Sequence, residues 1–425
     1  MRTYYSQTWM NPKKSPKVIV VVGGQWGDEG KGTISDRLAK KADLILRANG
    51  GANAGHTIGD IVLHQVPDGI LYPDKINLIG QGVVLDIVEL IKEIKLLQTE
   101  HHLNFKNFRI SDHATLLFDF YKAIEAIEEN ARKECLGTTK RGIGPSYADR
   151  IARNALLARD LLDPQICLQK LEIALKLKSS LYNIPKELKK VFEIDYYKNI
   201  IKEASEFLSP YIIDSHQLVQ QYLKAGKTIL IGGAQGTLLD IQHGTYPFVT
   251  SSPCTIDGLL YSVGIPSKYL TESWGVFKAY MSRVGSGPFP TMYLGQNEDI
   301  GDLIREKGNE RGATTGRNRG IGRFDCELAR FSQEINAFSH IVITRLDILT
   351  NVDNLEICQN YDKKAQPVYT KLKSWNTELT KDYEQWPEAA KKYCQMIMSS
   401  FKNCPSKPKL ASIGFGPNRD NAVYF

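Results

Sequence analysis

Short apolar runs alternate with longer amphipathic stretches along this chain, and each run ends near a Gly, Asp or Arg residue. Long helical segments separate these runs, so the pattern predicts an α/β protein with a mainly parallel central sheet and flanking helices. Ligands of such proteins bind beyond the carboxyl ends of the strands, where we expect the polar motifs to gather. The predicted strands cover residues 17–22, 43–47, 228–232, 340–344 and 408–413.

The stretch from 157 to 222 differs, because Leu, Ile, Phe and Tyr are spaced among many Lys and Glu residues. This spacing is typical of amphipathic helices, so we predict a mostly helical insertion there within a single domain of residues 18–425. Residues 1–17 are polar and have no continuous apolar centre of the signal-peptide kind. We expect them to form a disordered or loosely docked extension.

Composition narrows the class of protein. The chain has 425 residues, 42% apolar and 24% charged, which is typical of a globular protein. Its formal net charge of +7 suits anionic small molecules, but no clustered basic tract indicates nucleic-acid binding. Seven dispersed cysteines without a C-x-x-C pair favour reduced thiols in the cytoplasm over disulfides or a zinc site. No apolar stretch is long enough to cross a membrane.

Residues 24–32 follow the first predicted strand and lead into a helix predicted over residues 31–40. Amides at a helix start face anions, and Lys31 adds positive charge. The segment is not a standard P-loop, since the first glycine of that motif is missing and Lys31 is not followed by Ser or Thr. Asp28 and Glu29 would repel a phosphate unless a metal or a proton transfer requires them. The loop is therefore predicted to do chemistry as well as to bind phosphate.

Further loops each allow two interpretations. Residues 49–57 lack bulky side chains and place His56 at the mouth of a site, or they form a plain turn with a solvated histidine. The two arginines of residues 312–319 suit an anionic ligand, or they form a solvated basic loop. Asp347 accepts hydrogen bonds from a purine ring and so recognises the base, or it makes an ordinary ion pair at a strand end. Similar alternatives apply to residues 137–145 and 233–237.

Taken together, these segments closely resemble the adenylosuccinate synthetase family over residues 18–425. The resemblance implies GTP- and Mg²⁺-dependent ligation of L-aspartate to IMP, giving adenylosuccinate, GDP and phosphate, the first committed step from IMP to AMP. It also implies a homodimer and a P-loop-like nucleotide-binding fold with long ligand-covering loops. Its signatures are residues 24–32, 49–57, 137–145 with Tyr147 and Arg153, 233–252, 284–291, 312–319 and 346–347.

The resemblance also implies roles for individual residues. Asp28 matches the proton acceptor for N1 of IMP, whose C6 oxygen then takes the γ-phosphate of GTP to give 6-phosphoryl-IMP. His56 matches the proton donor, and Lys31 and Gln235 complete the catalytic set. One Mg²⁺ per subunit is expected on Asp28 and the Gly55 carbonyl, together with nucleotide phosphates.

The implied binding sites share several residues. IMP is expected on Asp28, Glu29, Gly30, Lys31, Asn53, Ala54, Gly55, His56, Thr139, Gln235, Thr250 and Arg317, with Arg153 reaching in from the partner subunit. Aspartate is expected on Ala313, Thr314, Thr315, Gly316, Arg317, Asn318 and Arg319. GTP is expected on Gly27, Asp28, Glu29, Gly30, Lys31, Gly32, Thr33, Gly55, His56, Thr57, Arg319, Arg345, Leu346, Asp347, Gly414, Phe415 and Gly416.

Five residues depart from the family pattern. Thr33 and Arg345 stand where lysine is usual, Gly232 where glutamate is usual, Pro253 where asparagine is common, and Arg323 where tryptophan is usual. These departures motivate two alternatives. One is a related synthetase that takes another 6-oxopurine nucleotide such as dGMP, and the other is a catalytically silent nucleotide-binding paralogue.

Overall fold

The structure is a computed structural model that describes residues 15–312, 316–418 and 420–425. The predicted aspartate-binding residues Ala313, Thr314 and Thr315 lie outside the described residues, as does most of the predicted extension. Everything below refers to the described part of the chain.

Ten of the described strands form one large sheet, in the order β19-β18-β15-β11-β1-β10-β2-β5-β7-β9. Its strands pair in parallel except for β19, which runs antiparallel to β18. The predicted, mainly parallel sheet is therefore confirmed. The strands of this sheet are β1 (Lys17–Gly23), β2 (Leu44–Arg47), β5 (Ile76–Ile79), β7 (Phe108–Ser111), β9 (Ile212–Ile213), β10 (Thr228–Gly236), β11 (Leu270–Lys278), β15 (His340–Thr344), β18 (Lys409–Gly414) and β19 (Ala422–Tyr424).

Short strands make four smaller sheets. They are β3 (His56–Ile58) with β4 (Ile61–Leu63), β6 (Val84–Asp86) with β8 (Thr115–Leu117), β12 (Met281–Arg283) with β13 (Gly320–Gly322), and β14 (Phe324–Asp325) with β16 (Glu356–Tyr361) and β17 (Pro367–Lys371).

Eleven α-helices occur in the described residues and cover both faces of the large sheet or form the outer part of the molecule. Three of them fall in the stretch 157–222 that was predicted to be mostly helical: α5 and α6 lie inside it, and α7 ends two residues beyond it. The helices are α1 (Lys31–Ala39), α2 (Ile87–Glu100), α3 (Asp119–Ala131), α4 (Ile143–Ala152), α5 (Pro164–Leu181), α6 (Ile194–Leu208), α7 (Ser215–Lys224), α8 (Ile256–Val263), α9 (Glu298–Lys307), α10 (Cys326–Asn336) and α11 (Glu388–Ser399).

Alternate residues of β1 belong to different hydrophobic cores. Val18, Val20 and Val22 pack into the largest core, which also takes up residues of α8, α10 and α11. Ile19 and Val21 face the opposite side and pack with residues of α1. A strand buried on both faces reads as a continuous apolar run, which is why β1 was visible in the sequence. Its carboxyl end is thereby fixed at the centre of the molecule.

Candidate active site

The described residues enclose a cavity of about 810 Å³ at the carboxyl ends of the central strands. Its wall includes the ends of β10, β15 and β18, the start of α1 and the loop that precedes β3. The size is in the range of sites that hold small-molecule ligands and cofactors. Several loops singled out in the sequence therefore meet in one place.

The loop between β1 and α1 turns tightly at the mouth of this cavity. Gly27, Asp28 and Gly30 have φ angles of 86°, 60° and 88°, in the left-handed region that favours glycine. The side chain of Glu29 is fully buried, and its Oε1 accepts the Gly27 amide at 2.8 Å. Its Oε2 accepts from the ammonium of Lys31 at 2.6 Å. Glu29 therefore holds the loop together from inside, while the Asp28 side chain stays one-third exposed.

His56 begins β3 and faces the start of α1. Its Nε2 forms an ion-pair contact with Oδ1 of Asp68, which lines the same cavity. A Cβ atom on Gly32 would lie 2.6 Å from Cδ2 of the His56 ring. The imidazole is thus packed against the backbone of α1, next to Lys31.

A buried ion network continues inwards from Asp28. Nη2 of Arg319 forms an ion pair with Oδ2 of Asp28 at 2.7 Å, and Nη1 of Arg319 donates to Glu310 at 2.5 Å. The ammonium of Lys278 donates to both carboxylate oxygens of Glu310, at 2.7 and 2.8 Å. Tyr280 donates its hydroxyl to Glu310 at 2.5 Å. All four acceptor positions of the Glu310 carboxylate are therefore used.

Burial and neighbouring charges shift the pKa values of Glu310 and Lys278 in opposite directions. Burial alone would raise the pKa of Glu310, but the charges of Lys278 and Arg319 outweigh it and lower that pKa to about 2. Burial lowers the pKa of Lys278 to about 8, despite the neighbouring Glu310 carboxylate. Both groups of the pair are therefore charged at pH 7.

A second cluster lies beyond β15. Arg345 has a φ of 62°, lines the cavity, and donates from Nη1 to the Gly308 carbonyl at 2.8 Å. Asp347 is partly buried, and burial raises its pKa. Among the described residues, its Oδ1 is buried without a hydrogen-bond partner. A buried acceptor without a partner is costly, so it is suited to a donor that a ligand brings.

The predicted site residues divide into two groups. Those that line the cavity are Gly27, Asp28, Gly30, Lys31, Gly32, Thr33, Asn53, Ala54, Gly55, His56, Thr57, Thr139, Gln235, Thr250, Arg319, Arg345, Gly414 and Gly416. Those described residues that do not line it are Glu29, Arg153, Gly316, Arg317, Asn318, Leu346, Asp347 and Phe415.

Sequence reasoning missed several residues that support the site. Asp68, Lys278 and Glu310 contact predicted residues, but each lies outside the motifs that were read as binding loops. Glu125 and Glu129 were also missed: they accept the amides of Gly142 and Gly137 at 2.7 and 2.6 Å and so hold the loop that carries Thr139. The signal available was their four-residue spacing on α3, which places both carboxylates on one face.

The departures from the family pattern occupy different surroundings. Thr33 and Gly232 line the cavity. Arg323 does not: its Nε donates to Glu356 at 2.7 Å, and its guanidinium lies over the rings of Tyr293 and Tyr369. The carbonyl of Pro253 accepts from Asn49 at 2.7 Å.

Comparison with known proteins gives a consistent result. The family model described as adenylosuccinate synthetase matches residues 20–423. The adenylosuccinate synthetase of Caldicellulosiruptor bescii is 40% identical, over 96% of this chain and 99% of its own length. That of Heliobacterium modesticaldum is also 40% identical, over 95% and 98% respectively.

Solved structures agree with these relatives. The fully ligated adenylosuccinate synthetase from Plasmodium falciparum superposes with a TM-score of 0.88 at 33% identity, covering 96% of this chain and 99% of that one. The succinoaminodeoxyadenylate synthetase of cyanophage S-2L, bound to dGMP and dATP, has a TM-score of 0.63 at 19% identity, with 97% and 96% covered. The second likeness concerns the fold alone.

The described residues contain neither a membrane-spanning helix nor a cluster of metal-ligating side chains. None of their helices is long and apolar enough to cross a membrane. No group of three or more His, Cys, Asp or Glu side chains among them is placed to hold a metal ion.

Proposed function

The chain belongs to the adenylosuccinate synthetase family, and from that premise we propose that its cavity binds IMP, L-aspartate and GTP together, with Asp28 and His56 as the acid–base pair. The reaction is the GTP-dependent formation of a C–N bond between L-aspartate and IMP in purine nucleotide biosynthesis. The observation that carries the residue assignment is the meeting of Asp28, Lys31 and His56 at one end of the cavity.

The chemistry requires an acid and a base in this arrangement. The C6 oxygen of IMP leaves only after phosphorylation, and removal of the N1 proton makes that oxygen a better nucleophile. Asp28 is a carboxylate exposed to the cavity, so it can accept this proton. His56 then stabilises the transferred phosphoryl group and donates a proton as charge develops on oxygen. Asp68 contacts Nε2 of His56 and so orients the imidazole.

Magnesium fits this donor set. Mg²⁺ usually takes only one or two protein oxygens and completes its shell with phosphates and water, so a cluster of three ligating side chains is unnecessary. The Asp28 carboxylate and the Gly55 carbonyl are the protein oxygens proposed to hold it, and both residues line the cavity. When bound, the ion neutralises charge on the transferring phosphoryl group.

Two features support the GTP and aspartate sites. The buried, unpartnered Oδ1 of Asp347 suits the N1–H and amino donors of guanine, which adenine does not present in that form. Arg319 lines the cavity, and its guanidinium can pair with a carboxylate of the substrate aspartate. Arg317 lies outside the cavity and donates to the Gly137 carbonyl at 3.2 Å, which links the two loops around the site.

We also propose a homodimer that forms through α4 and α5. Ile166, Ile173, Leu177 and Leu181 lie at helical spacing on α5, and Ile173 is 69% exposed. On the neighbouring α4, Ile151 is 83% exposed. A second copy of the chain would bury this apolar stripe, as contiguous exposed apolar patches usually mark an interface.

This arrangement would explain the position of Arg153. It follows α4 directly, is exposed, and does not line the cavity of its own subunit. Placed two residues after Ile151, it would enter the partner's site when the stripe is covered. Ile173→Glu should therefore be monomeric in light scattering and have low activity. Tyr261→Glu, at a more exposed position on α8 (85%), should remain dimeric. Dimeric Ile173→Glu protein would contradict the proposed interface.

We propose a cytoplasmic location because of the state of the cysteines. All seven are free thiols, six of them buried. Free thiols are typical of a reducing compartment.

The experiment that tests the assignment uses Asp28→Asn, which keeps the shape of the side chain but cannot accept the proton. Phosphate release with IMP, aspartate and GTP should fall about 1,000-fold, within the range for removing a general base. Asp60→Asn, at an exposed turn outside the cavity, is the matched control and should retain the wild-type rate. A folded Asp28→Asn enzyme working at full rate would refute the role of Asp28.

The dGMP-using alternative has less support. The curated relatives at about 40% identity are adenylosuccinate synthetases, whereas the dGMP-bound phage enzyme is 19% identical. Rates measured side by side with IMP and dGMP separate the two. Turnover with IMP would also exclude the silent paralogue.

A further inference from the structure

We propose that Glu310, anchored by Lys278, is a positioning residue that sets the Arg319 guanidinium and through it the Asp28 carboxylate. The inference rests on the proposed function, because it gives Asp28 and Arg319 their roles in catalysis and substrate binding. Neither Glu310 nor Lys278 lines the cavity, so both act through other residues.

The Lys278–Glu310 ion pair is buried. The side chains of Lys278 and Glu310 are 1% and 0% exposed. Two buried charges cost free energy that well-packed apolar residues would not. Stability alone therefore does not explain a buried ion pair at this place. The contacts of Glu310 with Arg319 indicate that the pair positions the guanidinium.

A chain of contacts connects Glu310 and Lys278 with the loop that carries Asp28. Starting at Asp28, the contacts pass to Arg319, then to Glu310 and to the ammonium of Lys278. The backbone of Lys278 returns to the same loop, since its amide donates to Oε1 of Gln25 at 3.0 Å and its carbonyl accepts from Nε2 at 3.2 Å. Gln25 stands three residues before Asp28, so these ion pairs and hydrogen bonds, together with the backbone from Gln25 to Asp28, form a closed ring that contains the proposed base.

Arg319 contacts Glu310 through both its backbone and its side chain. Its backbone amide donates to the Glu310 carbonyl at 3.0 Å, so the two residues are held together twice. A guanidinium fixed on one side by Glu310 presents its other nitrogen to Asp28 in one orientation. Without Glu310, the arginine side chain would have several rotamers to choose from in a cavity of this size.

The test is the Glu310→Gln variant. A misplaced Arg319 should lower kcat about 100-fold, the scale of a misplacement of about 1 Å at a reacting group. The KM for aspartate should rise about tenfold, as for weakening one charge-assisted hydrogen bond, while the KM for IMP changes little. A merely structural role would reduce the active fraction and leave every KM unchanged, and that outcome overturns the proposal.

A second variant avoids an unpaired buried charge. Glu310→Gln combined with Lys278→Met removes both charges, so it should fold while still lacking the anchor for Arg319. It should show the same rise in the KM for aspartate. Glu356→Gln, which breaks the Arg323–Glu356 pair away from the cavity, is the matched control and should keep wild-type kinetics.

Coupling to Arg319 distinguishes this inference from a general effect. If Glu310 acts through Arg319, adding Glu310→Gln to Arg319→Leu should lower the rate by no more than about twofold, because the two substitutions remove one unit. Fully multiplied effects would overturn the proposal. Failure of the proposed function would appear differently, as a wild-type enzyme that releases no phosphate from GTP with IMP and aspartate. In that case a crystal structure of the Glu310→Gln/Lys278→Met variant, with Arg319 still paired to Asp28, would still refute the positioning role.

Discussion

Replacing Gly32 by alanine tests whether the position of His56 controls the reaction. Gly32 lies in the first turn of α1, and an alanine Cβ there would stand 2.6 Å from Cδ2 of the His56 ring and 3.1 Å from Cγ. Carbon atoms in contact are usually at least about 3.5 Å apart, so the ring must retreat by about 0.9 Å. The contact of the ring's Nε2 with Asp68 restricts where the imidazole can move.

The expected cost follows from this displacement. A shift of about 1 Å at a catalytic group lowers the rate about 100-fold, which corresponds to about 2.7 kcal/mol in the activation free energy. Stability should change much less, because alanine favours a helix over glycine by about 1 kcal/mol and offsets part of the steric strain. The variant should thus fold well and react slowly.

The assay is phosphate release at saturating IMP, aspartate and GTP, with thermal unfolding measured in parallel. Gly301→Ala is the matched control, since it also places a methyl group in a helix, 2.9 Å from Cβ of Tyr293, but away from the cavity. It should alter stability and leave kcat unchanged. A Gly32→Ala enzyme with wild-type kcat and a displaced His56 ring would refute the role of His56, and an unmoved ring would refute the steric reasoning.

Three further predictions concern charge. Asp347→Asn should lower kcat/KM for GTP by about 10- to 100-fold in phosphate-release assays, since a charged acceptor for guanine is lost; an unchanged value would contradict guanine recognition by Asp347. Thr33→Lys restores the lysine usual in the family at the cavity wall and should lower the KM for GTP about threefold, as one exposed charge contact allows; a rise would show that threonine is required there. The folded pKa of Glu310, about 2, lies below its ordinary value of 4.5, so its stabilisation is present above pH 4.5 and is lost as pH falls towards 2. Between pH 6 and pH 3 the wild type should lose about 2 kcal/mol of unfolding free energy from this group, a loss that urea titrations of Glu310→Gln should lack.

The sequence predicted those strands that read as short apolar runs bounded by turn residues. The strand at residues 340–344 has the predicted bounds, β1 is one residue longer than predicted, and β18 is shifted by one residue at both ends. The central strand β11 was not predicted, although it pairs with both β1 and β15. Its sequence, LTESWGVFK, begins with polar residues and contains a glycine, so its burial depends on neighbours far away in the chain.

The same limit applies to the candidate site. The position of Asp28 and His56 at the cavity was predictable because each stands in a glycine-rich loop next to an apolar run, a local signal. The role of Glu29 was not, because its carboxylate turns inwards to the Gly27 amide and Lys31, which no local pattern distinguishes from a ligand contact.

Glu310 shows most clearly why local patterns are insufficient. It lies in the charged stretch REKGNERG, which reads as a solvated loop. Its complete burial is possible only because Lys278 and Tyr280 from one segment and Arg319 from another converge on its carboxylate. A charge buried by distant partners leaves no periodicity in the sequence, since each partner alone resembles a surface residue. The residues that support a site are thus harder to predict from sequence than the residues that line it, and they become visible only when the contacts of the folded chain are followed outwards from the Asp28 carboxylate.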